Sequence, residues 1–76
     1  MNKRQQKALT EALTKIAEGR QELEHLRDEH QEAFNAKSEV WQEGDKGLAL
    51  QETIDALQAA IDEIENAEAG LEELQG

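Results

Sequence analysis

Between Leu50 and Leu74 the apolar residues fall at Leu50, Ile54, Leu57, Ile61, Ile64, Ala67, Leu71 and Leu74, in steps of three and four. Only a helix brings such positions onto one face, and the face is a narrow stripe. Most of the intervening residues are Asp, Glu, Gln or Ala, which favour helix and, apart from alanine, water. A stripe of this kind needs a second helix to cover it, and the first half of the chain supplies one. From Lys3 to about Ala36, Leu9, Ala12, Leu13, Ile16, Gly19, Leu23, Leu26, His30, Ala33 and Phe34 recur close to heptad spacing. At about 1.5 Å per residue that helix is about 50 Å long.

The rest of the composition agrees with an all-α chain. There is no proline, and Ala, Leu, Glu, Gln and Lys dominate. The helical pattern fails across residues 37–47, where two of the five glycines and the only serine lie. Ser38 is placed to cap a short turn through Trp41, with Glu39 favourably set at its start. The expected organisation is a single domain over residues 1–76, with helix one at about 3–36, a connector at 37–47 and helix two at about 45–74. In helix two the step from Ile64 to Ala67 breaks heptad phase, a stammer that keeps Glu68 off the centre of the stripe.

Two long helices joined by a short connector fold back on one another. The expected architecture is an antiparallel, coiled-coil-like two-helix hairpin, paired so that residue numbers sum to about 84. That register sets Leu13 against Leu71, Leu23 against Ile61, His30 against Ile54 and Phe34 against Leu50. It turns Gly19 toward Ile64 or Glu65, as a notch for a bulky side chain. It also brings Lys3, Arg4 and Lys7 beside Glu65, Glu68, Glu72 and Glu73. Two helices alone leave each stripe half exposed, and small scaffolds in that position oligomerise. A homodimer forming a four-helix bundle is therefore the expected assembly.

The chain carries a net charge of −10, unevenly spread. Residues 1–37 hold seven basic and seven acidic side chains, whereas residues 38–76 hold Lys46 against eleven carboxylates. Such a surface argues against direct nucleic-acid or anionic-membrane binding and favours a basic protein surface. No apolar run approaches the roughly 20 residues that span a bilayer. The polar, basic start has no apolar core of a signal peptide, so a cytoplasmic protein is expected.

Little in the sequence suggests chemistry. Without cysteine there are no thiolate ligands or nucleophiles. Thr10, Thr14, Ser38 and Thr53 lack a nucleophile context, no glycine-rich phosphate cradle occurs, and neither enzyme activity nor a cofactor is expected. Glu22-Leu23-Glu24-His25 contains one Glu-x-x-His step, an element that di-iron bundles use on two helices. His25 and His30 are five apart and so do not share a face as paired metal ligands would. His30, within the stripe, sets register or reaches Thr53, with a pH-sensitive role as the alternative.

Five residues stand out as partner contacts. Val40 and Trp41 lie in the connector, where Trp41 is either a lid packed on Phe34, Leu48 and Leu50 or an interface anchor. Asp55, Asp62 and Glu63 face a part of helix one that is itself acidic, so the most negative potential is expected there.

The segments Asp28-Glu29-His30-Gln31-Glu32-Ala33-Phe34-Asn35, Gln42-Glu43-Gly44-Asp45-Lys46-Gly47 and Ile54-Asp55-Ala56-Leu57 with Ala60-Ile61 resemble a group of small acidic proteins. These have no known function and are encoded largely by tailed bacteriophages and prophages. They often carry a proline and then a leucine in the connector, where this chain has no proline and has Trp41 near the leucine position. The resemblance implies a phage context and a bacterial host cytoplasm, and it supplies no activity. Two functions fit: a dimeric adaptor or structural module acting through protein contacts, and an inhibitor whose acidic helix mimics nucleic acid toward a basic host protein.

Overall fold

The computed structural model describes residues 1–75 and folds them into α1 (Lys3–Asn35), α2 (Glu39–Glu43) and α3 (Asp45–Glu73), with no strand among the described residues. The two long helices lie along one another in a rod whose extents are 58 × 15 × 14 Å.

Local chemistry sets each boundary. α1 starts in a capping box formed by Asn2 and Gln5. Asn2 Oδ1 accepts from the Gln5 N–H at 2.8 Å, and Gln5 Oε1 accepts from the Asn2 N–H at 3.1 Å, so two otherwise unpaired amide groups are satisfied. At its far end, Gln42 Nε2 donates to the carbonyls of Phe34 at 2.9 Å and Lys37 at 3.2 Å. This ties α2 onto the exposed end of α1. Ser38 caps α2 as expected, with its Oγ accepting from the Trp41 N–H at 3.3 Å and Glu39 in the first turn.

Gly47 is the close-approach glycine. It is buried, and a Cβ there would overlap the carbonyl oxygens of Trp41 and Gln42. The end of α2 therefore rests on the first turn of α3, backbone against backbone. Gly19, expected to be the notch, has nothing within 4 Å of where its Cβ would lie. The expectation erred because a glycine within a stripe records only that a side chain is missing, not that another group fills its space.

Residues seven apart form the seam. On α3, Gly47, Ile54, Ile61 and Glu68 are buried, Ile61 at 1% and Glu68 at 8% exposure, and Leu50, Leu57, Ile64 and Leu71 are half-buried beside them. The expected stammer is thus absent: Ala67 is exposed and Glu68 continues the heptad. On α1 the half-buried series are Leu9, Ile16, Leu23, His30 and Leu13, Arg20, Arg27, Phe34. Ala12, Leu26 and Ala33, which spacing assigned to the stripe, are exposed, because two arginines occupy seam positions that hydropathy assigns to solvent.

Contacts between the long helices run in a regular order. Gln75 Nε2 donates to Thr10 Oγ1 at 2.6 Å, Arg20 Nε to Glu68 Oε1 at 2.6 Å, and Arg27 Nη1 to Gln58 Oε1 at 2.9 Å. Their numbers sum to 85–88, one to four residues from the expected register. His30 does not reach Thr53. Its Nδ1 lies 2.9 Å from the Leu26 carbonyl, and the Thr53 hydroxyl donates to the Ala49 carbonyl at 3.2 Å.

Candidate functional site

The most developed polar cluster centres on Glu68. Arg20 donates to both of its carboxylate oxygens, Nε to Oε1 at 2.6 Å and Nη2 to Oε2 at 3.4 Å, while Nη1 donates to Glu24. Bonding to Glu68, and then to Glu24, raises the Arg20 guanidinium above its ordinary proton affinity. This pair replaces the expected one: among the described residues no ion pair joins Lys3, Arg4 or Lys7 to Glu65, Glu68, Glu72 or Glu73. Arg20 is four residues from Glu24 and opposite Glu68, so it serves both carboxylates without leaving its helix.

Beside the pair lies an open groove of about 330 Å³ lined by Arg20, Glu65, Glu68, Ala69 and Glu72. One guanidinium among three carboxylates offers a cationic side chain attraction but no nucleophile, and no buried side-chain N or O among the described residues lacks a hydrogen bond. No group of three or more His, Asp or Glu among them is placed to hold a metal ion, and His25 is exposed. No helix of the described residues is long and apolar enough to cross a membrane.

The five candidate contact residues fall in three places. Val40 is 83% exposed at the tip of the rod. Trp41 beside it is half-buried, with Lys37 Nζ 5.2 Å from its ring centroid, a cation–π distance. Asp55 and Asp62 are exposed and seven apart, hence on one face of α3, where each accepts a hydrogen bond at 2.9 Å from the Gln four residues earlier. Glu63 is exposed but turned about 100° round the helix from Asp62. The three acids are therefore not one patch. Asp62 is also not free of basic neighbours, since Gln58 relays it to Arg27.

The two flanks of the seam differ more than its ends do. One carries Thr10, Ala17, Glu24 and Gln31 on α1 and Gln51, Gln58, Glu65 and Glu72 on α3. The Thr10–Gln75 and Arg27–Gln58 hydrogen bonds lie on this side. The other flank has Ala12, Gly19, Leu26 and Ala33 on α1 and Lys46, Thr53, Ala60 and Ala67 on α3, with Leu74 just past its end. Lys46, seven residues before Thr53, is the one charge in these series, and no position on that side carries a carboxylate. Hydropathy alone merged the α1 half of this flank into the seam; the signal that separates them is the pair of opposite charges at Arg20 and Glu68, each at a heptad position.

The chain matches no known family model, and neither a curated protein nor a solved structure is detectably similar to it.

Proposed function

We propose that this protein is a non-enzymatic helical module that works through protein–protein contacts, an antiparallel hairpin whose functional form is a homodimer, a four-helix bundle. The observation that carries the reading is surface. A compact chain of 8.5 kDa exposes about 4,700 Å², whereas this one exposes 5714 Å² and, among the large apolar side chains of the described residues, buries only Ile54 and Ile61. The excess of about 1,000 Å² per copy, about 2,000 Å² for a pair, is the area that stable interfaces bury. Falling partner numbers along rising α1 numbers support the antiparallel sense. The resemblance to phage proteins adds a phage-encoded setting in a bacterial cytoplasm.

A second reading, docking of a basic host surface on an acidic helix, is favoured by Asp55 and Asp62 standing exposed on one face. Salt separates the two. Copies bearing −10 each repel, so added salt strengthens self-association, whereas it weakens docking of a basic partner. Sedimentation at micromolar concentration is expected to give twice the 8.5 kDa mass. A fully helical, cooperatively melting monomer there would defeat the dimeric reading.

A further inference from the structure

Taking self-association as its premise, we infer that the second copy covers the carboxylate-free flank of the seam, the side of Ala12, Gly19, Leu26 and Ala33 on α1 and Ala60 and Ala67 on α3. Charge selects it. A chain of net charge −10 meets itself at least cost where no carboxylate is brought against another. The opposite flank fails that condition, because a two-fold interface there would bring Glu24, Glu65 and Glu72 against a second set of the same carboxylates. Apolar surface selects the same side. Leu26 and Leu74, two of the five exposed large hydrophobic residues, project from it. Shape agrees as well: alanines and a glycine with open space beyond its Cα let a helix from the second copy approach closely. Thr53, the single hydroxyl on this flank, already donates to the Ala49 carbonyl, so covering it strands no donor. The groove at Glu68 stays open on the far side of the dimer.

The chain has no cysteine, so single thiols report the covered side. Ala67→Cys lies on the carboxylate-free flank, and Ala69→Cys lies beside Arg20 on the other; both alanines are exposed in the single chain. The rate of maleimide labelling, followed as protein concentration rises through the sedimentation transition, is expected to fall several-fold for Ala67→Cys and to stay constant for Ala69→Cys. Leu26→Glu with Ala67→Glu is expected to halve the sedimenting mass with helix content retained, while Gln31→Glu with Gln51→Glu leaves the dimer intact. Should the charged pair at 26 and 67 unfold the chain, the two thiol rates still decide. A dimer in which both thiols label equally, or in which Ala69→Cys is the protected one, overturns this inference and leaves self-association standing. A parent chain that is monomeric throughout overturns the premise itself and assigns the flank to a different protein.

Discussion

Along a single line of α3, Gly47, Ile54 and Ile61 meet their neighbours through apolar or backbone contact, while Glu68, next in the same series, meets Arg20 through charge. The two regions do different work. Burying an isoleucine contributes about 1.5–3 kcal/mol. A partly buried ion pair contributes little net stability, because desolvation cancels most of the attraction, yet it discriminates between arrangements. A slip of one heptad that sets Arg20 against Ile61 would set Glu68, the more buried partner, against Leu13 and leave its carboxylate without a guanidinium. Isoleucines alone carry no such penalty, so the apolar stretch holds the helices together and the ionic step states where they stop.

The comparison breaks most visibly at Ile61, the most buried side chain. Ile61→Ala is expected to cost about 2–5 kcal/mol in urea unfolding at fixed protein concentration. A cost below that of Ile→Val would mean that the seam is loosely packed.

The ionic step should respond in a different pattern. With side-chain exposures of 22% for Arg20 and 11% for Glu68, and with Arg20 keeping Glu24, the pair is lopsided. Arg20→Leu strands the more buried Glu68, so it should destabilise more than Glu68→Leu and less than Ile61→Ala. Arg20→Leu combined with Glu68→Leu should equal or exceed the parent in stability. If the double variant instead falls below both single ones, the pair is a net stabiliser and the division of labour is wrong.

Gly47 and Gly19 sharpen the picture with one substitution of opposite sign. Gly47→Ala pushes a methyl into the carbonyls of Trp41 and Gln42 and should cost about 1–3 kcal/mol. Within the single chain Gly19→Ala meets open space, and below the sedimentation transition it should add up to about 1 kcal/mol through helix propensity. Matching signs in thermal melts would show that these two sites are not the contrast drawn here.

How much of this was legible follows from the same residues. The helix boundaries, the Ser38 cap and the start of α3 near Gly44 could be read from propensity and turn chemistry, which are local. The roles of Gly19 and Gly47 could not, because an absent side chain does not say what lies opposite it. Glu68 was misplaced because a hydropathy pattern sends every carboxylate to solvent, although the spacing of Gly47, Ile54, Ile61 and Glu68 by sevens was available. Of the candidate contact residues, Val40 and Trp41 at the tip were readable from the break in the helical pattern, and Asp55 with Asp62 on one face from its period. Grouping Glu63 with them ignored the quarter turn between neighbouring residues.

The tie from Gln42 to the carbonyls of Phe34 and Lys37 bears on the order in which the chain comes together. It closes a loop of only eight residues, against sixty-five for the Thr10–Gln75 contact. Each doubling of loop length adds about 0.6 kcal/mol of closure entropy, so contacts near the connector are the cheapest to make first. Assembly should start at α2 and zip along the rod, with each turn shortening the loop left for the next. Unfolding would run in reverse, and amide hydrogen exchange should grade from slow beside Ile54 to fast near Thr10 and Leu74.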